Sequence, residues 1–548
     1  MVGCITGISF GENIALNRLD YCNCDDILDC GPTERYFRAY KTTSECGAMN
    51  TPVTSNSLAS IKLKLPIQRG AYYGGRWHEP KSGRYAEQTN PGTGDSLGRV
   101  ADSGAEDVDA AVGAAKEAFV GWRCVPPLER ARMLKGIARV LRENAGELAM
   151  IDSTDCGNPL SEMIGDANVA AAQVEFFAGL VTEMKGHSIP QGPDRLNFSV
   201  REPLGVVGRI VPFNHPFMFI AGKAAAPLAA GNTIVMKPPE QAPLSSLRLA
   251  ELIDGLLPPG VFNLVPGGKE AGAALATHPS VAKIALIGSV PTGKAVMRAA
   301  ADTLKGVLLE LGGKNALIAY PDADPDAVAA GVVGGMNFTW CGQSCGSTSR
   351  AFIHEEIHDD VIERIKVRIG RWKPGIPTDP ATTMGAIISK AQFDRVMGYI
   401  DSAKSEGARL VTGGGRPNDP ALANGLYIEP TVFAEVKSTM KIAREEIFGP
   451  VVGVFRWSDE ATMLAEVNAV EYGLTASIWT NDLGTAHRAA ANVEAGFIWI
   501  NDVSKHFLGT PFGGYKQSGI GREECLDELL SFTQEKNINI NLGAPHKG

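Results

Sequence analysis

The sequence predicts an α/β protein built on a doubly wound parallel sheet, with a second α/β series after it and a small β element at the end of the chain. Three observations carry this. Short apolar runs alternate with helical stretches from about residue 204 to 311, the same rhythm resumes from 315 to about 516, and Asn537–Asn541 alternates polar and apolar residues. A β-α-β rhythm requires crossover connections and so a parallel sheet, whose ligands sit beyond the carboxyl ends of its strands.

The elements follow in order. Residues 105–185 are mostly helical by period, with Ala and Leu stripes interrupted at Gly157-Asn158-Pro159. Val206–Val211 reads as a strand, 216–230 as an Ala-rich helix, and Thr233–Met236 as the next strand. A helix over 244–256, a strand at Val261–Val265 and a helix near 270–277 lead to Ile284–Ile287, helix 292–302 and strand Val307–Leu311. The second series opens at Asn315–Ala319 and continues through strand Ala351–His354, helices near 359–369 and 389–405, and strands near 428–433, 451–455 and 474–480. Alternation in the last segment marks a half-buried strand that can extend another sheet. No internal repeat or low-complexity block interrupts the pattern.

Composition narrows the function classes. A chain of 548 residues with 44% hydrophobic content fills more than one core. A formal net charge of −9 disfavours nucleic acid or an anionic membrane surface as the main partner. No apolar run is long enough to span a bilayer. Ten cysteines without disulfide-type spacing suit a reducing cytosol, so a cytoplasmic location is expected. Residues 1–66 stand apart: they hold Cys4, Cys22, Cys24, Cys30 and Cys46 and lack sustained periodicity, a signal peptide's basic start and a transit peptide's acid-poor composition. They read as an extension without regular structure, or as a start placed upstream of Met49. The alternative is a metal site, but the C-x-C spacing and absence of histidine fit it poorly.

Two motif matches do not lead to their usual chemistry. Gly288–Ala295 resembles a phosphate loop, yet Ala295 stands where a Mg2+-binding hydroxyl is required. His354-Glu-Glu-Ile-His358 matches a zinc pattern but lies where a strand ends and a charged helix starts, which is a solvated face. No metal is expected. Gly267-Gly268-Lys-Glu-Ala-Gly272 leaves an unusual dinucleotide turn open.

A distributed set of residues says more. Gly342-Gln-Ser-Cys345-Gly346 holds one cysteine in a tight small-residue turn, downstream of Leu309-Glu310-Leu311-Gly-Gly-Lys314. A thiol so placed can be a nucleophile, and a glutamate ahead of two glycines its base, which points to covalent catalysis on a carbonyl. Pro212-Phe213-Asn214-His215-Pro216 follows a strand, so the Asn214 amide can serve as an oxyanion donor. Lys237 and Glu240 end another strand with a cation and an anion suited to cofactor hydroxyls or phosphate. Gly288-Ser289 opens a helix, where free N–H groups favour phosphate. Glu445-Glu446-Ile-Phe448-Gly-Pro450 offers a carboxylate and an aromatic on one turn.

In this order, and together with Arg350 and Pro511–Glu523, these segments resemble the NAD(P)-dependent aldehyde dehydrogenase superfamily over roughly 70–541. The resemblance implies a Rossmann-like NAD-binding domain over 67–185 and 204–312, a catalytic domain over 313–516, and oligomerisation strands at 186–203 and 528–548. It implies Cys345 as nucleophile, Glu310 as the base that activates water, and Asn214 with the Cys345 N–H as oxyanion site. Because coenzyme A-acylating members lack the glutamate, Glu310 implies the hydrolytic class. Pro212, Gly268, Gly288, Ser289, Thr292 and Leu311 would border the cofactor, with Lys237 and Glu240 on the adenosine ribose and Glu446 and Phe448 at the nicotinamide end. A glutamate at 240 favours NAD, with NADP still open. Lys223 and Glu523 match a proton-relay pair, and homodimers or homotetramers follow by analogy.

Departures from the family pattern concern the substrate pocket. Phe213 replaces the usual Trp, His215 sits where an aromatic is common, and Gly222 stands where many relatives carry Trp. The lost indole suggests added room, bordered by His215, Phe219, Trp340 and Phe507. A bulky aldehyde is expected, aromatic or betaine-aldehyde-like, since cation–π contacts suit a quaternary amine. Lys505 keeps a semialdehyde substrate open as an alternative. Cys341, four residues before Cys345, raises the option of a redox lock against a simple packing role. A non-catalytic protein on the same scaffold is the remote alternative, and the presence of Cys345, Glu310 and Asn214 argues against it.

Overall fold

The computed structural model describes residues 60–543, so the readings made on 1–59, the five cysteines and Met49 among them, lie outside the described residues. Ile61 and Leu65 already pack against the helical core, so the described chain is engaged before residue 66.

The first sheet has eight strands. Its five parallel members run Phe262–Leu264, Thr233–Lys237, Val206–Ile210, Val281–Ile287, Gly306–Glu310. In chain order that is 3-2-1-4-5, and the order reverses between Val206–Ile210 and Val281–Ile287. Antiparallel edges close it: Ala71–Tyr73 and Arg76–His78 on one side, Gly519–Ile520 on the other. The central strands Val206–Ile210 and Thr233–Lys237 are wholly buried, Arg209 and Lys237 included, because helices cover both faces. Helix Pro216–Ala230 shows how local chemistry sets the boundaries. Pro216 occupies its first position and Gly231, at φ +95°, ends it in the left-handed region. Almost every side chain of this helix is buried, which matches its small, apolar composition.

Four helices, Ala105–Trp122, Pro127–Glu143, Ala145–Asp155 and Leu160–Gly179, fill the region expected to be helical. The break at Gly157-Asn158-Pro159 is real: Gly157 has φ +87°, and its close approach to Ala386 leaves no room for a Cβ.

The second sheet has seven strands, in the order Arg409–Thr412, Thr431–Ala434, Val451–Trp457, Arg350–His354, Ala316–Ala319, Thr475–Trp479, Phe497–Ile500. All neighbours are parallel except the first pair. The edge strands Arg409–Thr412 and Phe497–Ile500 are additions to the sequence reading, as are two short N-terminal strands, Tyr85–Thr89 and Ser96–Ala101. Short edge strands lack the continuous apolar run that marks a central one.

The terminal strand Thr533–Asn541 pairs antiparallel with Arg195–Pro203 over nine residues, and Ser188–Pro190 completes a three-stranded sheet. Both faces of the terminal strand are largely exposed, rather than one being buried. No helix among the described residues is long and apolar enough to cross a membrane.

Candidate active site

The first sheet delivers its polar residues at the carboxyl ends of its strands, as the topology requires. Pro212, Phe213 and Asn214 follow Val206–Ile210; Lys237 ends Thr233–Lys237; Gly267 and Gly268 follow Phe262–Leu264; Gly288 and Ser289 follow Val281–Ile287; Glu310 ends Gly306–Glu310. Ser289 caps helix Val290–Ala301, and its Oγ accepts from the Thr292 N–H. Leu311 lies against Gly293, where an added Cβ would approach its side chain to 2.6 Å. That contact needs glycine in the helix and draws its first turn onto the strand. Glu240 lies next to Gly268, with its Oε2 2.9 Å from where a Cβ would stand.

Lys237 is buried, and its ammonium donates to the Pro238 carbonyl at 2.9 Å as its one hydrogen bond among the described residues. Burial brings its pKa down to about 8, with Glu240 and Asp102 opposing the shift. An ammonium with donors to spare, a carboxylate beside it and a capped helix N-terminus are the donor and acceptor set that a ribose and a pyrophosphate need. The residues therefore fit a dinucleotide.

Five residues, Leu311–Asn315, join the last parallel strand of the first sheet to the opening strand of the second. Gly312 and Gly313 bring this connection against Glu446: the Gly313 N–H donates to Glu446 Oε1 at 3.1 Å, and a Cβ on Gly312 would fall 2.0 Å from Oε2. Asn315 donates to the carbonyls of Cys345 (2.6 Å) and Ser347 (3.0 Å) and accepts from the Thr475 N–H. Buried Arg350 donates to the Lys314 carbonyl at 2.8 Å. The cysteine turn is thus held from outside by Asn315 and from within by Gln343, whose Oε1 accepts from the Ile388 N–H at 3.1 Å. Phe448, at φ +55°, meets Phe213 edge-on at 5.7 Å and so ties the second sheet to the Asn214 turn.

Cys345, Glu310, Asn214, Lys223 and Glu523 all line one cavity of about 550 Å³. Glu310 is buried and neither of its oxygens has a hydrogen-bond partner among the described residues. Burial, then repulsion from Glu523, lifts its pKa well above the carboxylate range. The Cys345 thiol is pushed up to about 12 by burial first, then by Glu310 and Glu446, while its own N–H and that of Gly346 favour the thiolate. Neutralising Glu310 therefore helps the thiol to ionise. Asn214 is buried, its side-chain Oδ1 has no hydrogen-bond partner among the described residues, and its backbone carbonyl accepts from Asn158 Nδ2 at 2.7 Å. Burial alone would keep Glu523 neutral, but Arg209 and Lys223 (Nζ–Oε2 2.8 Å) overcome it and lower its pKa.

Of the expected pocket residues, His215, Phe219 and Trp340 line the cavity. Phe507 does not: it is 54% exposed, and its neighbours His506 and Leu508, with Phe512 and Trp499, line the wall instead. Lys505 is directed to Asp502 at 3.0 Å and does not line the cavity either. The space at Gly222 is not free, since a Cβ there would meet Gln173 Oε1 at 1.9 Å. Cys341 is buried in the second sheet's core and does not line the cavity, and both it and Cys345 are free thiols. His354 caps helix Glu355–Arg368, while His358 is buried and pairs with Asp359 rather than lying on a solvated face; no metal-holding group of three occurs among the described residues. Sequence reasoning missed Glu162, Asp166, Val169 and Gln173, which face the cavity from helix Leu160–Gly179 at i, i+4, i+7, i+11. Polar residues on an otherwise alanine-rich, buried helix face were the available signal.

A dinucleotide-type sheet edge beside a cavity holding a thiol, an amide and a buried acid is an arrangement suited to an NAD-dependent oxidoreductase. The comparisons narrow the class: the chain belongs to the aldehyde dehydrogenase family, whose model matches residues 77–538. It is 53% identical over 498 residues to the aldehyde dehydrogenase tropH of Talaromyces stipitatus, covering 89% of this chain and 96% of that one. Among solved structures, PnpE from Pseudomonas sp. WBC-3 superposes with a TM-score of 0.85 at 40% identity, covering 88% of this chain and all of that one. An aldehyde dehydrogenase from Bacillus cereus, solved with NAD+, gives 0.84 at 38%, covering 87% and 97%.

Proposed function

We propose that this enzyme oxidises a bulky aldehyde to its acid with NAD, by way of a thioester on Cys345. One observation carries the reading: Cys345, Glu310 and Asn214, far apart in sequence, face the same cavity beside the dinucleotide-type edge. NAD, when bound, takes up the hydride; Lys237 and Glu240 hold its adenosine ribose, and Glu446 and Phe448 its nicotinamide end. Glu240 presents a negative charge to any 2′-phosphate, which favours NAD over NADP.

The chain's own groups perform the rest. The Cys345 thiolate attacks the aldehyde carbon, and the resulting oxyanion receives hydrogen bonds from the Asn214 amide and the Cys345 N–H. Once the thioester has formed, ionised Glu310 takes a proton from water, which attacks the acyl carbon and frees the Cys345 thiolate. The Lys223–Glu523 pair then offers that proton a way out of the buried site. Oxidation at a free thiol, with five unpaired cysteines among the described residues, suits a reducing cytoplasm. The open outer edge of Thr533–Asn541 suits homodimers or homotetramers formed by sheet extension.

The cavity walls support a bulky substrate. Phe219, Trp340, Trp499 and Phe512 supply aromatic surface. Among the described residues, Glu162, Asp166, Glu310, Glu523 and Glu524 line the cavity against a single lysine, Lys223, which already faces Glu523 and Glu524. An acidic wall without a free cation favours neutral aromatic or quaternary-amine aldehydes over the carboxylated semialdehydes. NADH formation from benzaldehyde, a trimethylammonium aldehyde, a carboxylated semialdehyde and acetaldehyde, with NAD and NADP in parallel, tests this. The expected kcat/KM is at least about tenfold higher for one of the first two, equivalent to ~1.4 kcal/mol. Preference for the semialdehyde or acetaldehyde would sink it.

A further inference from the structure

We propose that His215 and Asp166 form a fixed hydrogen-bond acceptor that selects aromatic aldehydes bearing a ring hydroxyl; this rests on the aromatic-aldehyde reading above. The two residues come from different elements, helix Leu160–Gly179 and the turn after Val206–Ile210. His215 Nδ1 and Asp166 Oδ2 lie 2.8 Å apart, and both side chains are nine-tenths buried on the cavity wall.

The partner fixes the tautomer. A carboxylate only accepts, so the ring donates from Nδ1 to Asp166, and in that tautomer Nε2 carries the lone pair. Nε2 makes no hydrogen bond among the described residues. The ring cannot turn away to find one. It stands edge-on to Trp340 (centroids 4.8 Å, 84°) and to Phe219 (5.8 Å, 88°), which hold it from two sides. An acceptor held in place between aromatic walls matches a planar ring with an O–H at its rim.

The surroundings favour the same ligand. Gln173, on the same helix face two turns further along, is buried with its Oε1 unpaired, so this wall has polar capacity that the protein leaves unused. Glu162, one turn before Asp166, is held above its usual range by burial and by Asp166. A carboxylated ring would meet these acids, whereas a hydroxyl can donate to Nε2 without a charge. Sites built to hydrogen-bond a substrate hydroxyl discriminate against the analogue lacking it because the buried polar group is left unpaired.

The test compares kcat/KM for the three hydroxybenzaldehyde isomers, their methoxy analogues and benzaldehyde, with NAD. A methoxy group keeps the oxygen and the bulk but cannot donate. At least one hydroxy isomer is expected to exceed both its methoxy analogue and benzaldehyde by about ten- to a hundredfold. His215→Phe should bring that ratio to within about threefold of one. Because the readout is a ratio, a general loss of turnover cancels. Asp166→Ala should collapse the ratio as well, while Asp166→Asn, whose Oδ1 still accepts from Nδ1–H, should restore most of it. That pair decides the matter even where His215→Phe does not fold. Equal rates for hydroxy and methoxy substrates, or a ratio that survives both His215→Phe and Asp166→Ala, overturn the dyad alone. No turnover of any benzaldehyde, with turnover of other aldehydes, overturns the aromatic reading and the dyad with it.

Discussion

The two parallel sheets share a layer plan but work at opposite ends of their strands. The first places Asn214, Lys237, Gly268, Ser289 and Glu310 at or just beyond the carboxyl ends of its strands. In the second, the groups that matter precede the strands: Asn315 ahead of Ala316–Ala319, Cys345 ahead of Arg350–His354, Glu446 and Phe448 ahead of Val451–Trp457. The short link Leu311–Asn315 runs from one edge to the other, so chain connectivity alone brings a carboxyl edge against an amino edge. The difference has a physical basis. Helix N-termini gather at the carboxyl ends of a parallel sheet and favour an anionic cofactor there. The second sheet supplies a thiol and positioning groups, needs no such field, and fixes its loops by side-chain hydrogen bonds from Asn315 and Arg350.

That division can be broken most severely at the amino edge. Cys345→Ala should lower aldehyde-dependent NADH formation by about 10⁴-fold or more, since the proposed covalent path then has no nucleophile. NAD affinity, measured by fluorescence or calorimetry, should stay within about twofold; a large loss of affinity would show that the two edges are not separable. Glu310→Gln comes next, with steady-state turnover down by about 10²–10⁴-fold. Rapid mixing should still show about one equivalent of NADH per site, and mass spectrometry an acyl adduct on Cys345. In the parent enzyme, hydrolysis should rise with pH beyond the usual carboxylate range, because the buried carboxyl is lifted above it. The variant should lose that rise.

The smallest effect is expected at Lys237, a carboxyl-edge residue that takes no part in the proposed chemistry. Burial lowers Lys237 to about 8, so its ammonium is intact below that pH and lost above it. NAD affinity should therefore weaken by up to about tenfold between pH 7 and 9, and Lys237→Met should flatten the profile. The same shift carries a stability sign. Between about 8 and the usual lysine value the unfolded chain holds the extra proton, so this residue's contribution to stability rises with pH in that window. A pH-independent NAD affinity in the parent enzyme would remove Lys237 from the cofactor contact.

Periodicity was enough to read the paired core strands and most of the helices, because a buried parallel strand and an amphipathic or alanine-rich helix each leave a signature within a few residues. The edge strands Arg409–Thr412 and Phe497–Ile500 left none, since pairing on one side does not demand a continuous apolar run. Phe507 was expected in the pocket and lies outside it, because alternation in an irregular loop does not define which side faces in.

Chemistry confined to one turn of chain was thus encoded locally: the thiol in its small-residue turn, the acid ahead of two glycines, the helix-opening Ser289 and the family these segments share. Their meeting in one cavity, the acidic character of its wall, the filling of the Gly222 space by Gln173 and the Asp166–His215 pair were settled by packing. Each of those depends on side chains tens to hundreds of residues apart, whose separation is fixed by sheet order and helix rotation. No local pattern records such a distance.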